Sequence, residues 1–170
     1  MLIRRELSAD IAAISEIIYA AFKGHPYHAP GQEPTEHLIV SRLRDAGALS
    51  LSLVAVEDDT IVGHIAFSPI KIKGLESNWF ALAPMSVSLS KQKCGVGSKL
   101  INEALRILTE QGTEGVVVLG YPEYYKRFGF HNQSELSVAE TPQEYFLAQR
   151  LTNQEHSIPK GEVNFHEAFF

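Results

Sequence analysis

The fold is decided by the stretch Gln92-Lys93-Cys94-Gly95-Val96-Gly97-Ser98. An apolar run from Phe80 to Leu89 precedes it, and a helix-forming run from Lys99 to Gln111 follows it. Two glycines let the backbone turn tightly between a strand and a helix. The first N–H groups of a helix have no partner inside it, and the aligned peptide dipoles place roughly +0.5 charge at that end. We therefore expect this turn to bind a phosphate or pyrophosphate.

A Gly-x-Gly before a helix is a weak signal alone, because ordinary loops carry it more often than phosphate sites do. Here the preceding strand, the following helix and Gln92 strengthen the prediction. A nucleotide-binding domain is the alternative. The turn does not match the Gly-x-x-x-x-Gly-Lys-Ser/Thr pattern of a P-loop, and it lacks the third glycine of a dinucleotide-binding turn.

Length and composition limit the class of protein. With 170 residues, of which 45% are hydrophobic, the chain can bury one core, and we expect a single domain over residues 1–170. The 15 Lys and Arg residues against 20 Asp and Glu residues give a net charge of −5. This acidity argues against non-specific binding to nucleic acid or to an anionic membrane surface, so neither is an expected partner.

The cysteine count and the first residues of the sequence indicate the cellular compartment. Cys94 is the only cysteine, so no internal disulfide can form. The segment Met1 to Glu6 becomes charged at once and lacks the apolar core of a secretion signal. No apolar run approaches the roughly 18 residues that cross a bilayer. These features predict a cytoplasmic protein.

Hydrophobic periodicity predicts the other elements. Before the turn we expect a strand over 2–6, a helix capped by Ser8 or Asp10, a helix over 35–46, strands over 51–57 and 61–67 with an extension beyond a bend at Pro69, a turn over 74–78, and a strand over 79–89. After it we expect a helix over about 98–111, a strand over 115–120, a short helix over 123–128, a strand from Phe130, and tail segments at 145–151 and 161–170.

Two of these strands carry further predictions. The continuous apolar run at 115–120 indicates a strand that is covered on both faces. Because a crossover helix joins it to the strand at 79–89, the two should form a βαβ unit. Pro84 predicts an edge or a bulge within the strand at 79–89, since proline lacks an N–H for the ladder.

Two motifs resemble the GNAT family of N-acetyltransferases. Val87 to Gly97 is similar to the family's strand end followed by Gln/Arg-x-x-Gly-x-Gly/Ala. Tyr124 to Phe130 is similar to a segment in which a tyrosine precedes a terminal Gly-Phe. Either match could arise by chance, but together they are specific. Residues 120–130 and the tail ending Ala168-Phe169 further resemble the YhbS-like subgroup of small bacterial acetyltransferases.

The resemblance implies a fold and a cofactor. The fold is of the α/β class, a central and mostly antiparallel mixed sheet with one splayed parallel pair of strands and flanking helices. The cofactor is acetyl-CoA, a co-substrate whose pyrophosphate would lie on a turn braced by Gln92, while main-chain groups of the preceding strand bind its pantetheine arm. The implied cofactor-binding residues are Met85, Ser86, Val87, Gln92, Lys93, Cys94, Gly95, Val96, Gly97 and Ser98.

The resemblance also implies a reaction, direct transfer of an acetyl group to an amine. Tyr125, five residues before Phe130, matches the family's tyrosine that donates a proton or hydrogen bond to the departing sulfur. A phenol with an ordinary pKa of about 10 stays protonated at neutral pH and can serve as this acid. Without the motif, a half-buried ring packed on the short helix would be the simpler expectation for Tyr125, as it is for Tyr124.

The general base stays open. The strand over 79–85 lacks the glutamate that some family members carry. Glu57, His64 and Glu76 are the alternatives, acting directly or through water, and the amine can also lose its proton to solvent before binding. A lone histidine in a strand, such as His64, is more often a surface or satisfied core residue.

Other reactive side chains carry weaker predictions. Cys94 lies at a helix start, which lowers a thiol pKa, but direct transfer needs no acyl-enzyme. His25, His28 and His37 lack the spacing of metal ligands, and no metal is expected.

The sequence leaves three questions open: whether the protein is catalytic, which acceptor it uses, and what its oligomeric state is. A non-catalytic sensor or accessory module that binds acyl-CoA is the rival function. The expected acceptor is an amine of a small molecule or peptide, and by resemblance Gly24 to Pro34 and the second helix would line its pocket. The oligomeric state is open, a homodimer included.

Overall fold

The computed structural model describes residues 1–26, 28–152 and 158–170. The helices among them are α1 (Ile11–Phe22), α2 (Glu36–Asp45), α3 (Val96–Glu110) and α4 (Pro122–Tyr125). The strands are β1 (Leu2–Arg5), β2 (Leu51–Glu57), β3 (Thr60–Ile72), β4 (Leu75–Val87), β5 (Gly115–Leu119), β6 (His131–Asn132), β7 (Leu136–Ser137), β8 (Phe146–Arg150) and β9 (Gly161–Asn164). Short 3₁₀ turns cover Ser8–Asp10, Leu89–Lys91, Lys126–Phe128, Gln143–Tyr145 and Glu167–Phe169.

Residue contacts divide the chain into two units. The first contains residues 1–67 and 83–104, and the second contains residues 68–82 and 105–170. β3, β4 and α3 contribute residues to both. The single domain over residues 1–170 stays a prediction.

In the first unit the strand order is β1-β2-β3-β4. β1 pairs antiparallel with β2, and β2 pairs antiparallel with β3. The hairpin turn between β2 and β3 has Asp58 and Asp59 at φ of 51° and 59°, the left-handed conformation that a two-residue hairpin turn requires. The strands expected around this turn are therefore confirmed.

Helices α1 and α2 pack a buried apolar cluster with β2 and β3. Its members are Ile14, Ile18, Val40, Val54 and Ala66. Ile14 and Ile18 lie one turn apart on α1, so they share a face, as their spacing predicts. This cluster holds both helices on the sheet of the first unit.

The start of α1 differs from the expected cap. Asp10 precedes the helix, but its side chain makes no cap hydrogen bond to α1. Its carboxylate instead accepts hydrogen bonds from the Leu7 N–H (2.6 Å) and from Arg4 Nη1 (2.7 Å). The hydrogen bond from Arg4 is the largest cause that lowers the pKa of Asp10. Asp10 thus ties β1 to the 3₁₀ turn before α1.

In the second unit the strand order is β3-β4-β5-β8-β6, and β9 pairs with β3 and β7. β4 and β5 are parallel, with Trp79 opposite Gly115 and Ala81 opposite Val117. Because α3 connects these strands in sequence, the predicted βαβ connection is confirmed. The pairs β5–β8, β6–β8 and β3–β9 are antiparallel, and the short pair β7–β9 is parallel.

β5 is covered on both faces, as its apolar run predicts. Val116, Val117 and Val118 are all buried. Gly115 begins the strand beneath the indole of Trp79, and a Cβ atom there would lie 2.4 Å from ring atom Cη2. Any side chain at Gly115 would therefore displace Trp79 from the core of the second unit.

Some element boundaries differ from the expectation. The turn expected over 74–78 is wrong, because β4 already begins at Leu75. Lys73 and Gly74, at φ of 54° and 71°, complete the hairpin turn without further residues. The extension of β3 that was expected beyond Pro69 is confirmed, since the strand continues to Ile72. α3 begins at Val96, earlier than expected.

Candidate active site

The end of β4 is held by two hydrogen bonds. The Ser88 N–H donates to the Val62 carbonyl (2.8 Å), which ties the segment to β3. Gln92 Nε2 donates to the Val87 carbonyl (3.2 Å), which closes the loop between β4 and residues 92–98, the glycine turn. The side chain of Gln92 therefore braces the glycine turn against the strand that precedes it.

The backbone of the glycine turn leaves polar groups facing outward. Lys93 and Gly95 have φ of 63° and 86°. The Lys99 N–H donates to the Gly95 carbonyl (3.1 Å), so the N–H groups of the residues between them precede the internal ladder of α3. A Cβ atom built at Gly95 would meet no atom within 4 Å. The turn is thus open beside Gly95 and presents a helix N-terminus.

Charge at the glycine turn is positive. Lys93 and Lys99 are exposed, while Lys91 Nζ lies 3.3 Å from the Glu57 carboxylate. Open space beside a glycine, free helix N–H groups and two exposed lysines fit a diphosphate. The residues present therefore fit the pyrophosphate of a coenzyme.

Gly63 of β3 sets how closely α3 approaches the sheet in the first unit. A Cβ atom there would lie 2.7 Å from Val96 Cγ1 and 3.1 Å from Leu100 Cδ1. Because Val96 is the first residue of α3, Gly63 determines the position of the glycine turn. Gly63 was not predicted from the sequence, although an isolated glycine inside a strand often marks a close approach.

The strand residues before the glycine turn are Met85, Ser86 and Val87. Ser86 is buried, and its Oγ has no hydrogen-bond partner among the residues that the structure describes. Met85 and Val87 are partly exposed. All ten residues predicted to bind the cofactor lie together at this end of β4 and α3, within the first unit.

Tyr125 belongs to the second unit, at the end of α4. Its ring lies against Gly120, where a Cβ atom would lie 2.4 Å from Tyr125 Cε2. The ring also makes edge contacts with Tyr124 and Phe130, with centroids 5.0 and 5.8 Å away. Gly120 directly follows β5, so the phenol ring is fixed at the carboxyl end of that strand. The sequence analysis missed the role of Gly120.

Two of the three candidate bases pair with lysines. Glu57 faces Lys91 as described above. The Glu76 side chain is 86% exposed and lies 3.8 Å from Lys71 Nζ. Both carboxylates are thus held in ion pairs with lysines, and neither is buried.

His64 has a different environment. It is fully buried in the first unit, and its Nε2 lies 2.8 Å from Ser52 Oγ. Desolvation lowers the pKa of His64 to about 4. Its Nδ1 atom has no hydrogen-bond partner among the described residues. His64 is therefore neutral at pH 7 and keeps one ring nitrogen unpaired.

The remaining reactive side chains show no arrangement for chemistry. Cys94 is exposed, and its thiol lies 3.5 Å from the Gln92 carbonyl. His28 Nε2 lies 2.6 Å from the Glu36 carboxylate. Within the described residues, no three His, Cys, Asp or Glu side chains group as metal ligands. Part of the expected acceptor loop, Tyr27, lies outside the described residues.

In the described part of the chain, no helix has both the length and the apolar character that crossing a membrane needs.

The family follows from comparison with known proteins. The family model described as "Acetyltransferase (GNAT) family" matches residues 12–130, and the chain belongs to this family. YhbS of Escherichia coli K12, described as an uncharacterized N-acetyltransferase, is 32% identical over 174 residues, which cover 99% of this chain and 98% of that protein.

Two solved structures are similar over nearly the whole chain. A GNAT family acetyltransferase from Brucella melitensis in complex with acetyl-CoA has a TM-score of 0.85 at 40% identity, covering 99% of this chain and 97% of that one. E. coli YhbS in complex with CoA has a TM-score of 0.89 at 31% identity, covering 99% and 91%. The predicted family, its YhbS-like subgroup and the α/β fold are thereby confirmed, and the cofactor of these relatives is the predicted one.

Proposed function

We propose that this protein is an acetyl-CoA-dependent N-acetyltransferase that transfers an acetyl group to an amine by direct attack. The observation that carries the proposal is the open glycine turn at the start of α3, braced by the Gln92–Val87 hydrogen bond. Two relatives that are 40% and 31% identical bind acetyl-CoA and CoA, and they support the same ligand here.

The roles of the first-unit residues follow from their chemistry. The N–H groups of the glycine turn would hold the pyrophosphate, with Lys93 and Lys99 adding positive charge. Main-chain groups of Met85, Ser86 and Val87 would bind the amides of the pantetheine arm as an added strand would. When bound, acetyl-CoA supplies a thioester whose acetyl carbon accepts the amine nitrogen while the sulfur leaves.

Tyr125 would donate a proton to that sulfur. A phenol holds its proton at neutral pH and can donate it, or a hydrogen bond, to the departing sulfur. The packing of its ring against Gly120 and Phe130 supports this role, because a fixed ring holds its hydroxyl in one place.

The acceptor would carry a primary amine, on a small molecule or at a peptide terminus or side chain. The net charge of −5 favours a cationic acceptor through long-range attraction.

A two-part assay tests the proposal. Binding of acetyl-CoA is measured by calorimetry, and thiol release is measured across a panel of amines, amino acids and peptides. We expect saturable thiol release with at least one amine, above the rate with acetyl-CoA alone. Tight binding without turnover on any acceptor would instead identify the acyl-CoA sensor. Thermal stabilisation by ATP or NAD and not by CoA would contradict both and favour a nucleotide-binding domain.

A further inference from the structure

Four side chains of the first unit form a hydrogen-bonded chain, which we call the relay: Arg44, Glu6, Ser52 and His64. Arg44 donates from Nε and Nη2 to the two carboxylate oxygens of Glu6, at 3.0 and 3.1 Å. Ser52 Oγ donates to Glu6 Oε1 and lies 2.8 Å from His64 Nε2. The relay connects α2, the end of β1, β2 and β3. It ends inside the protein at His64, which is 0% exposed.

The relay fixes the tautomer of His64. A hydroxyl has one proton to donate, and an ionised carboxylate can only accept. Because Ser52 donates its proton to Glu6, Ser52 Oγ must accept the hydrogen bond from His64. Nε2 therefore carries the ring proton of His64, and Nδ1 is an unprotonated acceptor.

The unprotonated Nδ1 atom has no partner among the described residues although it is buried. Buried polar atoms in native proteins are almost always paired, and an unpaired one indicates water, a ligand or a catalytic role. On the neighbouring strand β4, Ser86 Oγ is also buried without a partner in the described part of the chain. Two adjacent strands of the first unit thus each carry a buried polar atom that has no hydrogen-bond partner among the described residues.

We propose that His64 is the catalytic base of this enzyme and that its Nδ1 atom takes the proton of the attacking amine, directly or through one water. The proposal rests on the acetyltransferase function proposed above. Ser52, Glu6 and Arg44 are positioning residues, because they act through His64 and one another.

The proton balance of the step is complete. The amine nitrogen becomes positively charged as it bonds to the acetyl carbon, and it then gives one proton to His64 Nδ1. The carbon–sulfur bond breaks, and the sulfur keeps the electron pair and takes a proton from its own acid. His64, now an imidazolium, still donates to Ser52, and the Glu6 carboxylate one hydroxyl away compensates its charge. After the product leaves, His64 gives its proton to water, and the acid that protonated the sulfur takes one back from water.

Burial and two nearby charges determine the protonation state of His64. Burial lowers the pKa of His64, while the charge of Glu6 raises it and the charge of Arg44 lowers it. His64 is therefore unprotonated at neutral pH and has a free Nδ1 lone pair, although its lowered pKa makes it a weaker base than an ordinary histidine. A cavity of about 300 Å³ lies at the outer end of the relay, lined in part by Glu6, Arg44 and Ser52.

The tautomer can be tested without any acceptor. Imidazole ¹⁵N NMR of the full chain at pH 7.5 reports which ring nitrogen of His64 is protonated, and the signal is identified by its loss in His64→Gln. We expect a proton on Nε2 in the wild type and a mixture of tautomers in Ser52→Ala. A wild-type proton on Nδ1 would overturn the proposal.

The catalytic role is tested with the amine that gives the highest turnover in the acceptor screen. His64→Gln keeps an N–H donor for Ser52 but cannot take a proton, so a structural role is preserved and a catalytic one is lost. We expect kcat to fall about 100-fold, with the thermal midpoint and the KM for acetyl-CoA near wild type. Ser52→Ala should lower kcat about tenfold, and Ser52→Thr should retain most activity because it keeps the hydroxyl.

Ser50→Ala is the matched control for Ser52→Ala, since Ser50 is exposed and its hydroxyl donates only to the nearby Ala48 carbonyl among the described hydrogen bonds. If His64→Gln turns over within threefold of wild type, the proposed role of His64 is overturned and the proposed acetyltransferase function is not affected. Absence of wild-type turnover on every amine would overturn the acetyltransferase function and this proposal with it. Should His64→Gln fail to fold, the kcat of Ser52→Ala decides, and an unchanged value overturns the proposal.

Discussion

Two turns that follow strands depend on glycine for different reasons. Gly95, after β4, has φ of 86°, and a Cβ atom there would meet no atom within 4 Å. Gly120, after β5, has no left-handed φ, but a Cβ atom there would lie 2.4 Å from the ring of Tyr125. The first glycine serves the backbone and leaves space for a ligand. At Gly120, the ring of Tyr125 occupies the space that a side chain would fill.

The difference indicates how each of the two segments is built. The glycine turn relies on main-chain N–H groups, whose positions follow from the helix start and not from side-chain identity. The Tyr125 segment relies on one hydroxyl, whose position follows from ring packing. Backbone changes should therefore affect cofactor binding, and side-chain changes near Tyr125 should affect turnover.

The largest expected effect is that of Tyr125→Phe. The change removes one oxygen and keeps the ring packing, so kcat should fall about 100-fold or more while the Kd for acetyl-CoA stays within about twofold. Thiol-release kinetics and calorimetry measure the two quantities. Tyr124→Phe is the matched control, because Tyr124 packs beside Tyr125 at 5.0 Å, and it should leave kcat unchanged. Unchanged turnover in Tyr125→Phe would remove this residue from the mechanism.

The next effect concerns the pH dependence of stability. The pKa of His64 is about 4 in the folded protein against an ordinary value of 6.5. Between these values the unfolded chain binds a proton that the folded protein does not. The contribution of His64 to the free energy of unfolding is therefore fully present above about pH 6.5. It decreases as the pH falls and is constant below about pH 4. The total change is about 3 kcal/mol.

Urea unfolding of wild type and His64→Gln at several pH values measures this contribution. The unfolding free energy of wild type, measured relative to that of His64→Gln, should fall by about 3 kcal/mol from pH 7.5 to pH 4. Other groups titrate in both proteins and cancel. A difference that stays constant with pH would show that His64 is not held neutral by burial.

A smaller effect is expected for Gly120→Ala. The new methyl group must displace the Tyr125 ring, since ring carbons cannot approach within 2.4 Å of a Cβ atom. Such overpacking costs about 1–3 kcal/mol of stability and should lower kcat about tenfold, because the hydroxyl moves with the ring. If Gly120→Ala has normal turnover and normal stability, Gly120 is not needed to leave room for the Tyr125 ring.

The sequence predicts the glycine turn well because the chemistry there is local. Strand, glycines and helix follow one another along the chain, and each has its own signal in apolar periodicity or turn composition. The parallel pair β4–β5 follows from the same order together with the buried run of β5. Where the boundary of β4 shifted, to Leu75, the strand itself was the expected one.

The missed features depend on contacts between distant segments. Gly63 matters because Val96 of α3 lies against it, and neither position shows this in sequence. The relay unites Glu6, Arg44, Ser52 and His64 from different elements, so His64 alone resembles an ordinary strand histidine. Tertiary packing decides such groups, and no periodicity encodes them.

The smallest expected effect is that of Gly95→Ala, and it separates conformation from contact. An alanine at φ of 86° is strained by about 1–2 kcal/mol, although it touches no protein atom. If the open space holds the pyrophosphate, acetyl-CoA affinity should fall about tenfold in calorimetry. Gly112→Ala is the matched control, since Gly112 has φ of 79° and equally open surroundings just after α3. Gly112→Ala should lose similar stability and keep full affinity for acetyl-CoA. Equal affinity in both variants would mean that Gly95 is needed only for its backbone conformation.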